Sequence, residues 1–156
     1  MTEQTQPQFA IQRIYLKDSS FESPNAPQIF KHPWEPKVNL DMNTRATMLD
    51  EGVFDVTLML TVTTKIADEV AFIAEVHQSG IFTVTGFAES DIQQMLSAYI
   101  PNILFPYARA TVDQMIVSGS YPAIMLAPVN FDGLYQQRLA EEAAAGDAPA
   151  AEPAKH

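Results

Sequence analysis

At 156 residues, 47% of them hydrophobic, the chain has the length and composition of one folded domain, which excludes a fully disordered protein and leaves little room for two domains. Nineteen acidic against nine basic side chains give a formal net charge of −10, a field that repels phosphate backbones and anionic lipid headgroups and favours basic surfaces. Cysteine is absent, so disulfides and Cys-based zinc or redox sites are excluded and a reducing compartment fits best.

The N-terminus, MTEQTQPQFAIQRIY, has neither a basic leader region nor an uninterrupted apolar one, and no later segment approaches the length of a membrane span, so the chain is expected to stay in the cytoplasm. Residues 1–8 are polar and read as a flexible N-terminus; a first strand begins near Phe9 and runs through Ile11, Ile14 and Leu16. From Phe21 to about Pro36, four prolines stand among large apolar residues, a pattern that forbids regular helix and central strand and predicts a crossing loop. Alternation marks a second strand between Val38 and Met42, and more clearly a third at Phe54, Val56, Leu58, Leu60 and Val62. Asp50-Glu51-Gly52 supplies the turn between them, and Lys65 to Glu69 the next, before Val70, Phe72, Ala74 and Val76 open a fourth strand that continues through Phe82 and Val84. Short polar turns imply antiparallel pairing, because a parallel crossover needs a dozen or more residues.

Ser90 with Gln93 reads as a capping box for a helix carrying Ile92, Met95, Leu96 and Tyr99. Pro101 and Pro106 predict a break or kink before a run in which Leu104, Ala108, Val112, Met115 and Ile116 share one face, ended by Gly119. Ile103, Phe105 and Ile116 do not share one stripe, which predicts burial on more than one face and hence self-association. After the loop SYPAIMLAPVN, Asn130 caps a last helix with Phe131, Leu134, Tyr135 and Leu139 as its apolar stripe, and residues 142–156 read as a disordered acidic tail. The result is an α+β domain over residues 9–141: a four-stranded antiparallel sheet with helices packed on one face and the other left open.

Signs of catalytic chemistry are few. The histidines His32, His77 and His156 lack the spacing of a helical metal site, and there is no nucleophile elbow, phosphate loop or dinucleotide turn. A pair of carboxylates converging for acid–base work is the enzymatic alternative, and ordinary solvation is the bland reading of the same residues. Two features carry more. Phe30, Pro33 and Trp34 lie in a segment that cannot join a sheet, so they either plug the chain's own core or, with the SYPAIML loop, wall an apolar groove. On the fourth strand Ile73, Glu75 and His77 share the face opposite Phe72, Ala74 and Val76, either as tolerated surface positions or as a docking patch.

The blocks QRIYLKDSSFESPNAP (Gln12 to Pro27), PNILFPYARA (Pro101 to Ala110) and LAPVNFDGLY (Leu126 to Tyr135), in this order and spacing, closely resemble the SecB family of export chaperones over roughly Phe9 to Leu139. Ala110 departs from the acidic residue that many relatives carry after PYAR. The resemblance implies a SecB-like fold in a homotetramer, a dimer of dimers, with no enzymatic activity, no cofactor and no metal. It implies that the chain holds precursor proteins with signal sequences unfolded and delivers them to the translocation ATPase SecA. Carried over by position, the SecA-binding residues are Asp18, Glu22, Ile73 and Glu75, and the client groove falls on Phe30, Trp34, Tyr121 and Met125. A SecB-like chaperone dedicated to controlling a toxin–antitoxin system is the alternative function.

Overall fold

The computed structural model describes residues 6–146. Four strands, β1 (Gln8–Glu22), β2 (Lys37–Asp50), β3 (Val53–Ile66) and β4 (Glu69–Thr85), form one antiparallel sheet in the order β1-β4-β3-β2. Two tight turns make the β2–β3–β4 meander. The first uses Gly52 at φ +71°, where a Cβ would collide with Thr85; the second places both Ala67 (φ +50°) and Asp68 (φ +63°) in the left-handed region, the signature of a type I′ hairpin. Because β1 lies beside β4 and not β2, the chain must cross the end of the sheet between Glu22 and Lys37, and the proline-rich segment makes that crossing.

Alternation in β1 slips twice. Gln12 and Lys17 are extra residues in the pairing with β4, so Phe9 and Ile11, then Ile14 and Leu16, then Ser19 and Phe21 take the helix-facing side in turn. Past the second bulge Asp18, Ser20 and Glu22 are left on the outer face. On β4, a Cβ at Gly80 would sit 2.6 Å from the Phe82 ring, and its absence lets that ring fold back over the strand into the core.

The helices lie on the inner face. α1 (Glu89–Gln94) passes through a π-helical stretch, Met95–Tyr99, into α2 (Ile100–Ser118), and α3 (Phe131–Gly146) follows the connecting loop. Leu104, Ala108, Val112 and Ile116 of α2 press on Val56, Leu58, Leu60 and Val62 of β3 and on Phe72, Ala74, Val76 and Phe82 of β4, all fully buried. Gly119 ends α2 as expected, although Ser120, at φ +69°, is the residue that turns left-handed. Asn130 Oδ1 accepts the Gly133 N–H at 3.0 Å and caps α3.

Several sequence expectations change. The Ser90–Gln93 capping box is not formed, since the N-cap is an extended Ala88, two residues earlier, and Ser90 lies inside the first turn, where Glu89 and Asp91 complement the dipole. No break occurs at Pro101 or Pro106. The π stretch just before Pro101 widens the helix where proline has no N–H to give, and Pro106 is carried inside α2. β1 runs to Glu22, beyond Leu16 and into the segment read as loop, and that segment contains a 3-10 turn, Gln28–Lys31. β2 is far longer than Val38–Met42, because as an edge strand it carries polar residues on both faces and hides its alternation. Gln8 belongs to β1, so the flexible N-terminus expected over residues 1–8 overlaps a strand; its first five residues lie outside the described ones. The tail expected from Glu142 begins instead as helix, α3 extending to Gly146 on good helix formers, and residues 147–156 lie outside the described residues. Phe105 is buried by Phe131 of the same chain, ring centroids 5.9 Å apart, so the unsatisfied apolar surface of this helical run narrows to Tyr99, Tyr107, Val117 and the half-buried Ile103.

Candidate functional site

Two surfaces gather the residues singled out in the sequence. The first begins at a bulge in β4, where Ala71 has no partner on β3 because Thr64 pairs Phe72 and Lys65 pairs Val70. β1 stops pairing at Ile73, so the carbonyls of Val70 and Ala71 lie beyond its end. Side chains of the crossing loop replace the missing strand: Asn25 Nδ2 donates to the Val70 carbonyl at 2.9 Å, and Ser23 Oγ lies 3.0 Å from that of Ala71. Tyr121 arrives from the far end of α2, its hydroxyl 3.0 Å from the Ala71 carbonyl and 2.7 Å from Ser23 Oγ. Two hydroxyl protons serve these three contacts, so one hydroxyl donates to the carbonyl while the other donates to its neighbour.

Tyr121 is thereby held as a buried aromatic floor, 5% exposed, with Phe72 beneath it at 4.9 Å between centroids. Phe30 at 5.2 Å and Trp34 at 6.0 Å flank it and stay at the surface, 48% and 38% exposed. The plug of the core from this loop is Ile29, fully buried on the 3-10 turn. Three of the four positions expected to wall a client groove therefore form one aromatic cluster, and Met125 stands apart, 76% exposed at the apex of the loop between α2 and α3.

Sequence reasoning missed two clefts beside the helices, the first of mixed polarity, with Asn43, Gln93 and Arg138 at its walls, and the second mainly apolar. One, of about 310 Å³, opens between the edge strand β2 (Met42, Thr44, Ala46), the π stretch (Leu96, Ser97) and α3 (Phe131, Leu134, Tyr135). The other, about 390 Å³, lies between Phe21 of β1 and Met115, Ser118 and Gly119. The apolar spacing on α3 and the parity of Phe21 after two bulges were the available signals, and the bulges obscured the second.

The second surface is the outer sheet face. Register puts Glu22 opposite Ile73, Ser20 opposite Glu75 and Asp18 opposite His77, so Asp18, Glu22, Ile73 and Glu75 occupy three successive cross-strand rows. His77 Nε2 and Glu75 Oε1 are 2.8 Å apart, which fixes the carboxylate within the row. The face continues onto β3 and β2 with Thr61, Thr63, Asn39 and Asp41, polar and, among the described residues, without a covering layer. Among the described residues no three His, Asp or Glu side chains converge as a metal site would require, and no helix is long and apolar enough to cross a membrane.

Comparison with known proteins gives the family. The family model described as preprotein translocase subunit SecB matches residues 2–142. The protein-export protein SecB of Marinobacter nauticus is 52% identical over 147 residues, covering 93% of this chain and 89% of the relative. That of Hahella chejuensis is 51% identical over 151 residues, 97% of this chain and 94% of the relative. Among solved structures, a SecB-like chaperone of Mycobacterium tuberculosis, determined with a peptide from an antitoxin, superposes with a TM-score of 0.66 over 78% of this chain and 90% of its own at 16% identity, a likeness of fold.

Proposed function

The chain belongs to the SecB family and is an export chaperone of the Sec pathway, and from that premise we propose how its two surfaces divide the work. The toxin–antitoxin alternative is not favoured: the relatives that share half of this sequence are protein-export proteins, and the antitoxin-bound neighbour is similar in fold alone.

In this reading the cluster of Phe30, Trp34 and Tyr121, with Met125 on the adjoining loop, receives apolar side chains of an unfolded precursor. The outer-face row of Asp18, Glu22, Ile73 and Glu75 docks the translocation ATPase SecA. The protein works in the cytoplasm as a homotetramer, a dimer of dimers, and performs no catalysis of its own. A holding chaperone must bind many sequences without reading one, and apolar burial serves because it is non-directional, worth roughly 25 cal/mol per Å². The observation that carries the groove reading is that two large aromatic side chains are kept half-exposed on a third whose hydroxyl is fully committed beneath them. A core would have swallowed them; a receptor keeps them accessible. The outer face suits a basic partner by charge and leaves that partner free to engage while a client is held.

The two surfaces separate in one experiment. Phe30→Ala with Trp34→Ala should weaken capture of a chemically unfolded protein about tenfold or more while SecA binding persists. Asp18→Lys with Glu75→Lys should abolish SecA binding and leave capture intact. If each pair of substitutions impaired both activities equally, the division of labour would be wrong.

A further inference from the structure

The residues from Tyr121 to Asn130 that join α2 to α3 have no regular secondary structure, yet they are fastened along their length. Phe105, Arg109 and Asp113 recur at intervals of four on α2 and so share one face. Phe105 meets Phe131 at the start of α3. The Arg109 guanidinium lies 5.8 Å above the Phe105 ring, and its Nη1 donates to the Leu126 carbonyl at 3.4 Å. Asp113 Oδ1 accepts two successive backbone N–H groups, from Ile124 at 3.1 Å and from Met125 at 3.2 Å.

Two consecutive N–H groups converge on one oxygen only if the chain turns sharply, forming the concavity that elsewhere binds anions. Met125 makes that turn at φ +54°, a conformation that an unbranched side chain enters only under constraint. The carboxylate is the constraint, an internal anion that fills the concavity. Its effect on the surface is direct: Met125 is thrown outward while its neighbour Leu126 is driven inward and buried.

We propose that Asp113, seconded by Arg109, is a positioning residue for client binding: it holds the loop and its Met125 apex in the shape that receives a client before the client arrives. The proposal rests on the groove reading above and extends it to residues on α2 outside the four groove positions. Without the carboxylate the loop samples other conformations, and the client has to order it at the expense of affinity. An amide oxygen can still accept both N–H groups but carries no charge, so the response should be graded from Asp to Asn to Ala.

The test uses the full chain in its native assembly and, as probe, a reduced and carboxymethylated soluble protein that stays unfolded. In Asp113→Ala, amide exchange at Ile124 and Met125 should accelerate at least about tenfold and probe affinity fall about tenfold, with Asp113→Asn intermediate in both and SecA binding unchanged. A merely structural role would lower the unfolding midpoint without moving probe affinity far below that midpoint, and this result overturns the proposal. Unchanged exchange in Asp113→Ala overturns it too, because the carboxylate would then not be the clamp. Should the alanine variant fail to fold, Asp113→Asn decides, and wild-type exchange with wild-type affinity in that variant is the overturning result. Failure of the groove reading looks different: the wild-type protein itself would not capture the probe.

Discussion

Thr64 is fully buried on the inner face of β3, opposite Phe72, and its hydroxyl has no hydrogen-bond partner. An orphaned buried hydroxyl costs about 1–3 kcal/mol, so Thr64→Val, which keeps the shape and removes the polar atom, should stabilise the fold by about 1 kcal/mol. Urea denaturation at matched protomer concentration checks this: the midpoint should rise at constant slope, and a lower midpoint would mean that the hydroxyl is satisfied. Tyr15 offers a pH-dependent counterpart on the outer face. Its hydroxyl donates to Asp55 Oδ1 at 2.7 Å, and that bond, then burial, holds the proton and raises the phenol above its ordinary 10.0. The unfolded chain therefore ionises first as pH rises, so the contribution of Tyr15 is intact below about pH 10 and is lost as pH climbs toward the folded value. Wild type should lose stability more steeply than Tyr15→Phe above pH 10; parallel pH–stability curves would show that the bond does not hold the proton. At this scale the sequence was only partly legible. Phe30 and Trp34 could be singled out as residue types in a proline-rich context and Tyr121 through the family resemblance, but the roles of Ser23 and Asn25 depend on a bulge at Ala71 that leaves no trace in alternation.

Among the elements, the β3–β4 hairpin is the one whose turn residues fit its geometry least well. Both central positions of its type I′ turn require positive φ, a conformation that Asn-Gly adopts readily and Ala-Asp does not. Replacing Ala67 with Asn and Asp68 with Gly should raise stability by about 1 kcal/mol. The exchange removes the Lys37–Asp68 ion pair, which spans 3.9 Å between almost fully exposed groups and offsets little. Thermal unfolding of the double variant checks this, and an unchanged or lower midpoint would show that the hairpin is strained elsewhere. The same contrast between local and tertiary determinants explains which elements could be read. β3 and β4 are central, buried on one face and clean in alternation, and their extent was nearly right. β2 and the far half of β1 are edges, where exposure and bulging blur the period. The π stretch arises because a proline must be accommodated while α2 stays seated on the sheet, a demand that exists only in the packed molecule.

For the molecule as a whole, what matters is the surface that one chain cannot cover for itself. Tyr99, Tyr107 and Val117, exposed along the helix spine, form an apolar stripe on the side of α2 away from the sheet, with the half-buried Ile103 among them. The proposed tetramer would bury it, bringing several copies of the aromatic cluster into one particle. Each groove contact need be only modest, because once one segment of a long client is held the next binds at an effective concentration on the order of millimolar, and avidity can exceed single-site affinity by roughly 10²–10⁴. Release then requires no chemistry within the chain, since a partner that competes for a few sites reverses the gain along the whole client. Tyr107→Asp with Val117→Asp should halve the particle mass in light scattering. It should also weaken binding of a long unfolded client by at least about tenfold, and leave a peptide short enough for one groove with its original affinity. If the smaller particle held the long client as tightly as the larger one, binding would reside in a single subunit. The apolar stripe would then serve stability alone.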